Sequence, residues 1–126
     1  MALIDKICAE HPLAGVFYIM KLHGKLAGMG GLRQLSSTQV EIKRIYVRPE
    51  CRGFQLGERT LKRLLKDATN FGYQQALLDT GSFMKAAHPL YERAGFVDRK
   101  PYDGVEVPVA FHDRWRFMER SLVGIV

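Results

Sequence analysis

The sequence predicts an α/β domain built on a mixed sheet that contains a parallel strand pair. Three observations lead there. Two runs of β-forming residues, 13–22 and 26–32, flank a His23-Gly24-Lys25 turn. A strand-like run from Val40 to Val47 passes through Arg48-Pro49-Glu50 into Leu56 to Asn70, where Leu56, Leu61, Leu64, Leu65 and Ala68 recur at helical period. A further strand, Gln75 to Asp79, follows closely. Strand, helix, strand with short links implies parallel pairing and a right-handed crossover.

The elements read as follows along the chain. Met1 to Glu10 suggests a short helix, with Ile4, Ile7 and Cys8 on one face, ended by His11-Pro12 because proline disfavours helix in the residue before it. Residues 13–22 and 26–32 form a hairpin whose second strand is glycine-rich, and Gln34 to Gln39 is a polar turn. Strict alternation over Val40 to Val47 puts Val40, Ile42, Arg44 and Tyr46 on one face and Glu41, Lys43, Ile45 and Val47 on the other. The helix after it carries a Glu58–Lys62 pair at i,i+4 and stops at Phe71-Gly72. A second helix is expected over Met84 to Ala94, closed by Gly95, with Pro89 awkward inside it. Phe96-Val97 begins another strand, 100–112 is a long loop, and Arg114 to Leu122 is the last strand.

With 126 residues, 47% of them hydrophobic and 25% charged, the chain suits one globular domain spanning 1–126. No apolar run reaches the ~18 residues of a membrane span. Residues 1–6 do not look like a secretory signal, and two cysteines make no disulfide framework, so a reducing cytoplasm is the expected location. His11, His23, His88 and His112 are scattered, without zinc spacing, and no metal is expected. The net charge of +6 suits an anionic ligand, although Lys62, Arg63 and Lys66 read as the solvated face of one helix. The interleaved aromatic and basic pattern of a nucleic-acid-binding strand is missing.

The most informative stretch is Arg52-Gly53-Phe54-Gln55-Leu56-Gly57. A glycine-containing turn that enters a helix N-terminus presents free backbone N–H groups and a positive dipole end, which together hold phosphates. Two nucleotide motifs fail. No Gly-Lys-Ser/Thr ending supplies the lysine and metal ligand of a P-loop, and Gly28-Met29-Gly30-Gly31-Leu32-Arg33 has Arg33 where a dinucleotide fingerprint ends in glycine. Those glycines are better read as close strand packing.

Residues Val47 to Gly57 resemble the phosphate-loop pattern of the GNAT family, the acetyl-CoA-dependent N-acetyltransferases. Ala87-His88-Pro89-Leu90-Tyr91-Glu92-Arg93-Ala94-Gly95-Phe96 is similar to the family's late helix, and Glu41 to Val47 to its fourth strand. The resemblance covers roughly Phe17 to Leu122. It implies a GNAT fold: a mixed central sheet with a splayed parallel pair and flanking helices. It also implies acetyl transfer from acetyl-CoA to a primary amine. Two departures stand out. Gln55 replaces the usual middle glycine, a cost of about 1–2 kcal/mol if positive φ is required. The chain is also N-terminally short, so part of the acceptor wall is absent or comes from a partner chain, such as the second copy of a homodimer.

The resemblance assigns Ile45, Tyr46 and Val47 to the pantetheine arm through their backbone groups. It assigns Arg52, Gly53, Phe54, Gln55, Leu56 and Gly57 to the diphosphate. A strand amide near Ile45 or Tyr46 would polarise the thioester carbonyl. Tyr91 matches the tyrosine near the sulfur, a cofactor contact that donates a proton to the leaving thiolate or simply hydrogen-bonds it; an aromatic packing residue beside Leu90 and Phe96 is the other reading. Glu41 matches a general-base position, acting through water; an exposed strand glutamate paired with Lys43 or Arg44 is the other reading. Arg33, Arg44 and Tyr46 would line the acceptor cleft, where an arginine favours a carboxylate- or phosphate-bearing amine; surface or interface arginines are the other reading. Cys51 reads as a half-buried thiol or one activated by Arg52, and Trp115 and Phe117 as core or subunit contact. Gln55 and the short N-terminus also fit a GNAT-like module that binds acyl-CoA with weak or no catalysis. The acceptor's identity is not written in these motifs.

Overall fold

The computed structural model describes residues 2–11, 15–53 and 55–123, with side chains from Val16 onward except that of Arg44. Among these, seven strands form one sheet in the order β1-β2-β3-β4-β5-β7-β6. The strands are β1 (Ala2–His11), β2 (Gly15–Leu22), β3 (Lys25–Gln34), β4 (Gln39–Val47), β5 (Gln75–Gly81), β6 (Val97–Arg99) and β7 (Trp115–Ser121). Two α-helices, α1 (Leu56–Asn70) and α2 (His88–Arg93), complete the regular structure with short 3₁₀ turns at Pro49–Cys51 and Val109–Arg114.

The first segment departs from expectation. Ala2–His11 is a strand, paired antiparallel with β2 from Ala2↔Leu22 onward, and not a helix. An isolated ten-residue helix is marginal in water, whereas β2 offers it a row of backbone partners. The β2–β3 hairpin forms as the sequence suggests, with His23 and Gly24 both at positive φ (52° and 79°) in a primed turn that matches strand twist.

Helix α1 buries Leu56, Thr60, Leu61, Leu64, Leu65 and Ala68 against the sheet, and each buried leucine contributes about 2 kcal/mol. Its end is a Schellman motif. Gly72 N–H bonds Thr69 O at 3.0 Å, Tyr73 N–H bonds Ala68 O at 3.2 Å, and Gly72 takes φ 94°. Val16, Tyr18, Leu32, Val40, Ile42, Leu78 and Met118 meet this face. On the opposite face Leu77, Tyr102 and Phe117 form a smaller cluster under the loop that follows β6.

Helix α2 is shorter than the pattern over Met84 to Ala94 indicates. Pro89 stands at its first turn, where the missing N–H costs nothing, so proline starts this helix instead of interrupting it. Residue 88 ties the helix start to the sheet: His88 Nε2–H donates to Gly81 O at 3.1 Å.

Candidate active site

Strands β4 and β5 are parallel, but their pairing covers only Gln39↔Gln75, Val40↔Ala76 and Glu41↔Leu77. Beyond Glu41 the two strands part. The edge of β4 that faces β5 therefore has no strand partner from Ile42 to Val47, while β5 goes on pairing with β7 as far as Gly81↔Trp115. Unpaired N–H and C=O groups along such an edge accept an extended ligand as an added strand.

Side-chain placement on β4 corrects the simple alternation. Gly31 pairs with Lys43 and Met29 with Tyr46, so Gly30 faces two residues, Arg44 and Ile45. This bulge inserts one residue and exchanges faces beyond it. Val40, Ile42 and Ile45 pack on the α1 side, and Val47 packs with Met20, Ala27 and Leu56. Glu41 lies with Tyr102 on the other side, and the Tyr46 side chain is exposed. The glycines of β3 are there for close packing. A Cβ on Gly28 would stand 2.2 Å from Tyr46 O, and one on Gly30 would stand 2.9 Å from Thr60 Cγ2.

The phosphate-loop candidate sits at the end of the same strand. After Val47 the chain makes the 3₁₀ turn, then extends at Arg52 (φ −69°, ψ 152°) and turns at Gly53 (φ 98°). It enters α1 through Gln55 in the left-handed region, φ 58° and ψ 28°. Positive φ at Gln55 is the strained conformation the sequence comparison with glycine anticipates. The first i→i−4 bond of the helix is Arg59 N–H to Gln55 O at 3.0 Å, so Leu56, Gly57 and Glu58 precede the intrahelical ladder. Arg52 is exposed and donates Nε–H to Val47 O at 3.3 Å. Phe54 lies outside the described residues. Cys51 is half-buried beside Met20, Ala27 and Leu56.

Tyr91 projects from α2 into the main cluster, edge-on to Phe96 at 6.2 Å. Burial, and secondarily the negative charge of Asp79, raises its pKa above the ordinary phenol value. The phenol is therefore neutral and able to donate.

Glu41 is 0% exposed and lies at the fork of the two strands. Arg33 Nε donates to its Oε1 at 3.0 Å, Tyr102 OH donates to its Oε2 at 2.7 Å, and Lys43 Nζ stands 3.3 Å from Oε1. Arg33 also donates to Gly104 O at 2.5 Å. The arginine proposed for the acceptor cleft is thus committed to the buried glutamate and to the loop. Among the ion pairs, Lys43 also contacts Glu106. Tyr102 and Glu106, which complete this cluster, carry no motif; they come from a loop more than 60 residues away, and only the fold brings them in.

His88 and His112 hold backbone carbonyls, the latter through Nε2 to Val107 O at 2.8 Å. Phe117 is buried and Trp115 is half-buried, its Nε1–H on Asp79 Oδ1 at 2.8 Å, so both serve this chain's own core and cleft. Among the described residues no group of His, Cys, Asp and Glu is placed to hold a metal, and no helix is long and apolar enough to cross a membrane.

A mixed sheet whose parallel pair splays beside a glycine-containing helix entry defines an acyl-CoA-type transferase fold. The chain belongs to the acetyltransferase (GNAT) family, whose model matches residues 2–96. It is 33% identical over 87 residues to an IAA acetyltransferase of Azospirillum brasilense, an alignment covering 68% of this chain and 57% of that protein. The chain spans about half the length of the first curated relatives it matches, 57%, 42% and 50%. A Klebsiella pneumoniae structure assigned to the acyl-CoA N-acyltransferases superposes with a TM-score of 0.83 at 24% identity, covering 97% of this chain and 98% of the other. A GNAT family acetyltransferase of Elizabethkingia anophelis, solved with acetyl-CoA bound, superposes at 0.74 and 19% identity, covering 95% and 97%.

Proposed function

We propose that residues 1–126 act as one N-acetyltransferase domain, moving the acetyl group of acetyl-CoA to a primary amine by direct attack. The observation that carries this is the loss of β4–β5 pairing after Glu41↔Leu77, in register with the helix entry at 52–57. The free β4 edge at Ile45, Tyr46 and Val47 would pair with the pantetheine arm. The amides of Arg52, Gly53, Phe54, Gln55, Leu56 and Gly57, with the Arg52 guanidinium, would hold the diphosphate. Support for acetyl-CoA as co-substrate comes from the Elizabethkingia structure, which holds it on the same fold.

In the reaction a C–N bond forms and the C–S bond breaks. An ammonium substrate must first lose a proton, since its pKa is near ~10. The amide formed sheds a second, and the thiolate takes one. Tyr91, buried and neutral, supplies the proton to sulfur. A β4 amide near Ile45 or Tyr46 stabilises the developing oxyanion. Glu41 matches the base position of the family, but its enclosure by Arg33, Lys43 and Tyr102 suits it to fixing the acceptor wall, with any proton traffic relayed through those partners.

A thiol-release assay over a panel of primary amines tests this reading. Release of free thiol that depends on the amine supports it. Tight acetyl-CoA binding with no release for any amine supports the non-catalytic module instead. A cytoplasmic location and a homodimer belong to the same proposal.

A further inference from the structure

Beyond residue 96, where the family model's match ends, a loop follows β6 and leads into β7. That loop borders an open cavity of about 350 Å³ on the sheet face away from α1. Its walls come from both arms of the fork: Lys43 from β4, Asp79 from β5 and Trp115 from β7, with Pro108 and Phe111 above. This volume lies near the lower end of small-molecule sites.

Among the described residues, charge in the cavity pairs off with one exception. Lys43, the cation that lines it, contacts Glu106 and Glu41, and Arg33 is bonded to Glu41. Asp79 has no ion pair among the described residues; its recorded partner is the Trp115 indole N–H on Oδ1. A half-buried carboxylate without a cation is costly, and an incoming ammonium would relieve that cost. Exposed aromatic side chains stand beside it. Phe111 is 48% exposed, and Phe83, 70% exposed, meets Trp115 edge-on at 5.6 Å. Exposed aromatic rings beside a cavity are a binding surface for another ring.

We infer that the acceptor is a small amine on an aromatic body, its ammonium held by Asp79 and its ring seated against Phe111 and Trp115. This rests on the reading of the fork as the transfer site. It sets aside the carboxylate- or phosphate-bearing acceptor suggested by Arg33, because that guanidinium is already bonded within the protein.

The test is calorimetry with 2-phenylethylamine, n-butylamine and 3-phenylpropionate, run with and without saturating CoA. The expected order puts 2-phenylethylamine at least ten times tighter than either other probe. Asp79→Asn, which keeps an oxygen for Trp115, should weaken 2-phenylethylamine tenfold or more and leave CoA affinity within twofold. Phe111→Ala should narrow the gap between the phenyl and butyl amines. Equal or tighter binding of 3-phenylpropionate, no measurable binding of 2-phenylethylamine, or an unaltered amine affinity in Asp79→Asn overturns the inference. Absence of CoA binding with the amine order intact strikes the cofactor reading, and with it the acceptor role, while the amine site at Asp79 itself stands.

Discussion

Tyr102 OH donates to Glu41 Oε2 at 2.7 Å, joining the loop after β6 to the fork of β4 and β5 across 61 residues of sequence. Burial and then Glu41 hold the phenol's pKa far above its ordinary value, and burial and Asp67 do the same for Tyr18. A neutral acid whose folded pKa is raised stabilises the fold fully below the unfolded pKa, here about 10. Above that pH the unfolded chain releases protons that the folded chain keeps, so stability falls by up to ~1.4 kcal/mol per pH unit for each such tyrosine. Urea unfolding from pH 8 to 11 should show a plateau followed by a decline beginning near pH 10. Tyr102→Phe should make the decline shallower and cost ~1–3 kcal/mol at pH 8, because Glu41 loses a buried donor. A flat profile to pH 11 would contradict this.

Gln55 offers a second handle. Its left-handed conformation costs a side-chain-bearing residue ~1–2 kcal/mol relative to glycine, offset in part by the greater freedom of glycine in the unfolded chain. Gln55→Gly should raise stability by ~0.5–1 kcal/mol in urea titration and leave acetyl-CoA affinity equal or tighter. A loss of stability would mean that the side chain makes a contact worth more than the strain.

Tyr91 separates chemistry from binding. Tyr91→Phe keeps the ring that packs on Phe96 and removes the donor. Turnover should fall ~10²-fold, the scale of general-acid catalysis, with acetyl-CoA affinity within twofold. Unchanged turnover removes Tyr91 from the chemistry.

The sequence carries those parts of the fold whose signal is local. Leucine spacing in α1, the His23-Gly24 turn and the Phe71-Gly72 stop each depend on neighbours within a few residues, and each appears where the pattern puts it. What the sequence hides is set at long range. Ala2–His11 has apolar spacing compatible with either helix or strand, and β2 decides between them. The bulge opposite Gly30 leaves no mark on the alternation of β4, yet it determines which side chains face α1. The candidate site divides the same way. The helix entry at 52–57 and Tyr91 stand in recognisable patterns, whereas Tyr102, Asp79 and Trp115 acquire meaning only when β7 lies between β5 and β6.

The central claim is that the turn at 52–57 and the open edge of β4 together hold coenzyme A, and titration calorimetry with acetyl-CoA and with desulfo-CoA measures it most directly. Saturable one-to-one binding of both nucleotides, weakened when Arg52 is replaced by Ala, is the predicted result. No heat from either at millimolar concentration would contradict the account.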